Sequence, residues 1–126
     1  MKIMYQSKYF KLSEFQCKCK KCQDNNIMPV VDERLFILLD NIREKMGCPV
    51  IVNSGYRCHN HNAAVGGVPD SQHVLGKAAD IYVLPPNKVT RLHSVAQDCN
   101  ADGIGFYPKR NFVHVDVRGY RARWEG

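Results

Sequence analysis

The sequence has no long hydrophobic run, no internal repeat, no low-complexity tract and no linker-like segment. A membrane-spanning helix needs about 18 or more consecutive apolar residues, so we expect no membrane span. The chain has 126 residues, and its 44% hydrophobic fraction is typical of a globular protein. Together these features predict one domain that covers residues 1–126.

An apolar segment typical of a secretory signal is also missing at the N-terminus, which reads "MKIMYQSKYFKLSEF". A signal peptide needs about 7–15 apolar residues after its basic start. We therefore expect the chain to be cytoplasmic as synthesised and to stay there unless something else releases it.

Acidic side chains are fewer than basic ones, with 12 Asp and Glu against 18 Lys and Arg, and the net charge is +6. The basic residues are spread along the chain, which predicts a solvated basic surface. The alternative is attraction to a polyanion, either nucleic acid or an anionic cell-wall polymer. No nucleic-acid-binding motif accompanies the charge, so we expect no nucleic-acid partner.

Cysteine, by contrast, is abundant for a chain without a signal peptide. Three of the six cysteines lie close together in "FQCKCKKC", and the others are scattered: Cys17, Cys19, Cys22, Cys48, Cys58 and Cys99. Three interpretations stay open. Cys17, Cys19 and Cys22 could bind a structural zinc ion together with one distant cysteine. Disulfides could instead tie the N-terminal segment to the loops near Cys48 or Cys58, or all six thiols could be free.

The pattern of apolar residues predicts two amphipathic helices and several short strands. Asp32 is a good N-cap for the first helix, its apolar residues recur at helical spacing, and Gly47 ends it. Residues 87–99 form the second helix, and residues 1–30 are expected to be irregular apart from a turn at "LSEF". Strands are predicted at 50–52, 77–83, 102–108 and 111–118. This order predicts an α+β fold with a mostly antiparallel sheet and helices packed on one side.

Strand periodicity brings polar residues together on one face of this sheet. In "FVHVDVR" the valines share one face, whereas His114 and Asp116 share the other. That other face, taken alone, is typical of a solvent-exposed strand face. In "KAADIYV" the same alternation separates Asp80 from the apolar residues, so aligned apolar faces put Asp80 and His114 on one side. His73, in the loop before, can fold back to join them.

Two histidines and one carboxylate are a frequent ligand set for catalytic zinc, with a fourth position left for water. We therefore predict a Zn²⁺ site at His73, Asp80 and His114. Asp116 could serve as the general base for that water, or it could orient a ligand. Arg57, where the chain leaves the strand at 50–52, could pair with a substrate carboxylate or belong to a structural hydrogen-bond network.

The segment "SQHVLGKAAD" fits the pattern S-x-H-x-x-G-x-A-x-D and resembles the zinc D-alanyl-D-alanine carboxypeptidase family. That family belongs to a larger group with lysostaphin-type peptidases and the hedgehog signalling domain. "SGYR", "NAAVGG", "GIGFYP" and "FVHVDVR" occur in the order of its murein-peptidase branch. The resemblance covers about residues 10–120.

The resemblance implies a small α+β domain with the metal on one face of an antiparallel sheet. It implies that His73, Asp80 and His114 are the zinc ligands, that Arg57 holds a substrate carboxylate, and that Ser71 contacts substrate. The implied partner is the peptide stem of peptidoglycan. We also expect a monomer that acts at the cell wall if it is released.

The sequence departs from many relatives just before the last implied ligand. They have an acidic residue or a histidine three positions before it, or a histidine two before it, where this chain has Asn111 and Phe112. Neither side chain can act as a general base, so Asp116 is the expected catalytic base.

Three hypotheses follow for function. The first is a zinc peptidase that hydrolyses peptidoglycan stem peptides, either as a D,D-carboxypeptidase or as an endopeptidase. The second is a non-catalytic zinc module that binds cell-wall peptide or a protein. The third is a nucleic-acid-binding protein built on the cysteines, which leaves the two histidines and Asp80 unexplained.

Overall fold

The computed structural model describes residues 6–126, so residues 1–5 of the predicted domain and of the predicted irregular segment lie outside the described residues. Four helices and five strands follow one another as α1 (Lys20–Asp24), α2 (Glu33–Met46), β1 (Ile51–Ser54), α3 (His59–Ala64), β2 (Ala78–Tyr82), α4 (Val89–Asp98), β3 (Gly103–Tyr107), β4 (Phe112–Asp116) and β5 (Ala122–Glu125). Short 3-10 turns occupy Leu12–Phe15, Pro86–Lys88 and Pro108–Arg110. Within residues 6–126, no helix has the length and apolar character needed to cross a membrane.

Helix α2 begins and ends where its sequence predicts. The Asp32 side chain accepts a hydrogen bond from the Arg34 backbone N–H at 2.8 Å, and Gly47 ends the helix in the left-handed conformation with φ 69°. The apolar residues at helical spacing are all buried, namely Leu35, Leu38, Leu39, Ile42 and Met46. They form the face of α2 that packs into the core against the sheet.

The five strands form one sheet in the order β1-β2-β4-β3-β5. Its first three pairings are antiparallel, and only β5 runs parallel to its neighbour β3. The antiparallel register puts Asp80 opposite His114 and Ala79 opposite Val115. The predicted α+β class with a mostly antiparallel sheet is confirmed.

One face of the sheet is apolar and is covered by α2 and α4. Inward-facing residues of four strands join the two helices in a single buried cluster, including Val52, Ala79, Ile81, Ile104, Val113 and Val115. Burying apolar side chains on both helices and on the sheet drives this packing. The opposite sheet face is therefore the one that displays polar residues.

Two elements differ from the sequence prediction. Residues 20–24 form helix α1 inside the segment expected to be irregular, and β5 was not predicted at all. Strand β5 is only four residues long and half-buried, so its pattern carries little periodic signal. It exists because it pairs with the edge of β3, a contact between distant parts of the chain.

The chain turns sharply at Gly76, between the loop that holds His73 and strand β2. Gly76 has φ +72°, and a Cβ atom there would lie 2.2 Å from the backbone oxygen of Val30. The Gly76 carbonyl also accepts a hydrogen bond from the Asp32 N–H at 2.8 Å. Only glycine combines this backbone conformation with so close an approach.

Gly76→Ala should therefore destabilise the protein more than Gly47→Ala. Both positions have positive φ, so both substitutions add about 1–2 kcal/mol of backbone strain. A Cβ at Gly47 meets nothing within 4 Å, whereas at Gly76 it meets Val30 and adds about 1–3 kcal/mol of steric cost. Urea unfolding of both variants measures the difference. Equal losses would show that the approach to Val30 is not tight.

Candidate metal centre

His73, Asp80 and His114 meet on the polar face of the sheet. One ligand atom from each lies within 4.8 Å of the others. The Asp80 Oδ1 atom is 3.0 Å from His114 Nδ1 and 3.3 Å from His73 Nε2, and the two imidazole centroids are 5.1 Å apart. All three residues are buried. The structure thus brings together the three side chains that the sequence analysis selected as metal ligands.

Backbone geometry fixes these positions. Asp80 and His114 are direct partners in the antiparallel pairing of β2 with β4, so their side chains project to the same side. His73 lies in the preceding loop, where its N–H donates to the Ser71 hydroxyl at 3.2 Å and its carbonyl accepts from the Arg57 N–H at 3.2 Å. Ser71 therefore holds the loop that presents His73, and it also lines the cavity above the site.

The second ring nitrogen of each histidine has an acceptor of its own. His73 Nδ1 lies 2.8 Å from the carbonyl oxygen of Gly55, and His114 Nε2 lies 2.8 Å from Asp116 Oδ2. A neutral ring has one proton for two acceptors, because Asp80 lies 3.0 Å from His114 Nδ1 and 3.3 Å from His73 Nε2. The proton can lie on the nitrogen with the shorter contact, toward Gly55 in His73 and toward Asp116 in His114. The nitrogens that face Asp80 then present lone pairs.

In that tautomer three electron-pair donors converge with no hydrogen between them. Two imidazole nitrogens and a carboxylate oxygen in this arrangement repel one another unless a cation or extra protons lie between them. Imidazole and carboxylate ligands are those of catalytic zinc sites. The donor set at His73, Asp80 and His114 fits such an ion, and the orienting contacts of both rings are those that metal-binding histidines usually have.

Electrostatics at the site follow the same pairing. Without an ion the rings can instead donate to Asp80. Burial would raise the pKa of Asp80, but these hydrogen bonds from His114 and His73 outweigh it and hold the pKa well below its usual range. Burial would lower the pKa of His114, but its contacts with Asp116 and Asp80 outweigh that effect and raise the pKa. The carboxylate of Asp80 is thus held in the charged form, as a metal ligand must be.

Asp116 is completely buried, with 0% of its surface exposed, so the strand face that looked solvent-exposed in the sequence is covered. Its two oxygens accept from the Arg118 backbone N–H and guanidinium, with the shortest contact at 2.6 Å, as well as from His114. Burial would raise the pKa of Asp116, yet the contacts with His114 and Arg118 hold it far lower. Gly103 leaves room for this carboxylate, because a Cβ there would lie 2.2 Å from Oδ2.

Arg57 lies at the edge of the site and contacts its centre. One guanidinium nitrogen is 3.4 Å from Asp80 Oδ2, and the others lie 3.3 Å from Ser54 Oγ and Asn62 Oδ1. The side chain is therefore part of a hydrogen-bond network and also lines the cavity. Both interpretations of the sequence, structural and substrate-facing, are compatible with this position.

A cavity of about 560 Å³ opens over the three converging side chains. Sequence reasoning missed several of its wall residues, including Tyr107, Arg110, Tyr120 and Trp124. Trp124 stands beside the site, with its ring centroid 5.0 Å from that of His114 and its Nε1–H donating to the Tyr107 hydroxyl at 2.8 Å. The available signal was the alternation in "RARWE", where a lone tryptophan with high strand propensity follows the last predicted strand.

Zinc binding gives a direct test of the centre. Asp80→Asn removes the anionic ligand, so we expect a loss of more than about 100-fold in zinc affinity, above the range typical of outer contacts. Asp70→Asn is the matched control, because Asp70 is an exposed carboxylate on the same cavity wall. Metal analysis after dialysis should show one zinc equivalent lost from the first variant only. Zinc retained in full by Asp80→Asn would exclude this site.

Comparison with known proteins gives a consistent result. The family model described as Peptidase M15 matches residues 8–116. The probable peptidoglycan L,D-endopeptidase MepK of Haemophilus influenzae is 32% identical over 104 residues, which are 76% of this chain and 55% of that protein. The peptidoglycan L,D-endopeptidase MepK of Escherichia coli K12 is 31% identical over 106 residues, or 79% and 57%.

The chain thus spans little more than half the length of these curated relatives. The matched residues include all of β1 to β4 and the loop that carries His73. The resemblance seen in the sequence to a zinc murein peptidase family is confirmed. With a family match over most of its length and relatives that share about a third of the aligned residues, this chain belongs to the Peptidase M15 family.

Proposed function

We propose that this protein is a zinc-dependent peptidase that hydrolyses amide bonds in the peptide stems of peptidoglycan. The observation that carries the proposal is the convergence of two imidazole nitrogens and a carboxylate oxygen at the floor of a 560 Å³ cavity. Membership of the Peptidase M15 family supports the reaction class, and the names of the related endopeptidases support the substrate. On this proposal residues 1–126 form a single zinc peptidase domain.

His73, Asp80 and His114 would hold the ion, and each is fixed by its own partner. The Gly55 carbonyl orients the ring of His73, the Asp116 carboxylate orients that of His114, and Arg57 contacts the outer oxygen of Asp80. A bound zinc ion polarises a substrate carbonyl and lowers the pKa of water to about 7. The protein itself would hold the three ligands in position and keep the cavity open to a peptide.

Asp116 is better placed to position a ligand than to take a proton from water. Its carboxylate has no exposed surface, and its oxygens are engaged by His114 and Arg118. A general base must lie within about 3 Å of the attacking water, or reach it through one bridging water molecule. We therefore propose that Asp116 is a positioning residue and not the catalytic base expected from the sequence.

Basic residues around the cavity suit a peptide that carries carboxylates. The Arg57 charge lies beside Asp80, and Arg118 is held by Asp116, while exposed Arg110 lies over the Phe112 ring at 5.2 Å. Guanidinium groups bind carboxylates through two parallel hydrogen bonds. Arg57 and Ser71 remain the proposed substrate contacts nearest the metal ligands, and Arg110 extends the basic surface outward.

Among the two versions of the activity, we propose the endopeptidase. The curated relatives carry that name, and a carboxypeptidase would need a cation reserved for the terminal carboxylate. Arg57, the arginine nearest the metal ligands, shares its charge with Asp80. Action at the cell wall after release and a monomeric state stay predictions.

A non-catalytic zinc module is the second candidate. It is favoured by one specific observation, namely that Asn111 and Phe112 replace the expected acid or histidine while Asp116 is buried. Such a module would bind the peptide stem in the same cavity without turning it over.

Digestion of purified peptidoglycan separates these functions. Wild-type protein with zinc should release products that His114→Ala does not, because His114 is one of three proposed ligands. His93→Ala is the matched control, since His93 lies on α4 and stacks on Phe106 away from the cavity. Mass spectrometry of the products identifies the bond. An endopeptidase cuts within the peptides and gives shorter fragments, whereas a carboxypeptidase releases a single terminal residue. Unchanged peptidoglycan would favour the non-catalytic binding module.

Asp116→Asn tests the positioning role. Loss of an outer partner of a metal-bound histidine should weaken zinc binding about 10–100-fold, and excess zinc should restore most of kcat. Loss of a general base would instead keep zinc affinity and lower kcat about 10²–10⁴-fold at every zinc concentration. Asp102→Asn serves as control, because Asp102 accepts from the Gly119 N–H at the end of the same strands but does not touch His114.

A further inference from the structure

Four cysteines from distant parts of the chain meet in a second cluster. Cys17, Cys19 and Cys22 come from the N-terminal segment before and within α1, and Cys58 comes from the residue just before α3. One sulfur from each lies within 4.8 Å of the others. Cys48 and Cys99, the remaining cysteines, do not belong to this group, and all six are free thiols in the structure.

The spacing of three of these sulfur atoms is that of a tetrahedral thiolate site, and the fourth, of Cys22, lies within 4.8 Å of them. Cys17 Sγ is 3.7 Å from both Cys19 Sγ and Cys58 Sγ, and those two sulfurs are 3.8 Å apart. Four sulfurs placed tetrahedrally at the usual zinc–sulfur distance of about 2.3 Å are about 3.8 Å from one another. A disulfide would instead bring two sulfurs to about 2.0 Å and leave the others apart.

Backbone N–H groups point at three of these sulfurs. The N–H of Cys22 donates to Cys19 Sγ, that of Cys58 donates to Cys17 Sγ, and that of His61 donates to Cys58 Sγ, each at 3.4 Å. Hydrogen bonds to sulfur favour the charged thiolate over the neutral thiol. Cys17 and Cys22 are buried at 1% and 6% exposure, so negative charge there needs a cation close by.

We propose that Cys17, Cys19, Cys22 and Cys58 bind a structural zinc ion, distinct from the ion at His73, Asp80 and His114. Four thiols lose their protons to the solvent and form four zinc–sulfur bonds, with no change of oxidation state. Four protein ligands close the coordination shell, so this ion has no position for water or substrate. Thiolate ligands select zinc over the hard cations that prefer oxygen.

This ion would fasten the N-terminal segment to the loop that supports the first site. Cys58 follows Arg57 directly, and the Tyr56 N–H donates to the Phe15 carbonyl at 2.9 Å. The same loop supplies the Gly55 carbonyl that orients His73. The ion would add four metal–sulfur bonds to such weaker contacts between the N-terminal segment and this loop.

Metal counting and a spectroscopic probe test the proposal together. Wild-type protein reconstituted with zinc should bind about two ions per chain, and the double variant Cys17→Ser, Cys58→Ser should bind about one. The matched control, Cys48→Ser with Cys99→Ser, removes the same number of thiols outside the cluster and should keep both ions. Cobalt(II) in the wild-type protein should give the intense near-ultraviolet band of thiolate-to-metal charge transfer, which histidine and carboxylate ligands do not produce.

The wild-type spectrum keeps the test valid even where the cluster variant fails to fold. A cobalt-loaded wild type without the charge-transfer band would overturn the proposal, as would a disulfide among the four cysteines in intact-mass analysis of the purified chain. The two metal sites fail independently. Loss of the His73 site alone removes peptidoglycan cleavage and leaves the charge-transfer band in place, whereas the absence of that band with cleavage retained would reject the cysteine site only.

Discussion

The antiparallel pairing of β2 with β4 is the constraint on which the site depends. It sets Asp80 opposite His114, so that a carboxylate and an imidazole project from neighbouring strands onto one face. A shift of one residue in this register would reverse the faces of one strand relative to the other, so Asp80 and His114 would project to opposite sides of the sheet. The valines of β4 prevent that shift, since they are buried against α2 and α4 only in the observed register.

The polar face of the sheet buries its charged side chains Asp80, His114 and Asp116. Such burial is unfavourable unless every charge has a partner, and here each buried carboxylate has several. Asp80 contacts both histidines and Arg57, while Asp116 contacts His114 and Arg118. The arrangement shields the two carboxylates from water and holds the converging ligand atoms in place.

The residue pattern within short stretches of the sequence was sufficient to predict the strand faces and the helix ends. Alternation along two strands placed Asp80 and His114 on a common face, and helix caps gave the ends of α2. The burial of Asp116 could not be predicted from this pattern, because alternation assigns residues to two strand faces without showing what covers the polar face. Trp124 was missed, and Cys58 could not be singled out among the distant cysteines, for a related reason. Strand β5 and the cysteine cluster are made by contacts between distant segments, whose geometry no short window of sequence contains.

The contacts around His114 form an unbroken series. Asp80 touches one ring nitrogen and Asp116 the other, Arg118 holds Asp116, and the Arg118 guanidinium lies 5.1 Å over the Trp124 ring. Neighbours in such a series do not contribute independently to stability. A substitution at one member of this series should therefore disturb its neighbours, whereas an exposed rim residue such as Arg110 can be exchanged alone. The rim is thus the part of the cavity where new contacts can be introduced without disturbing the ligand set.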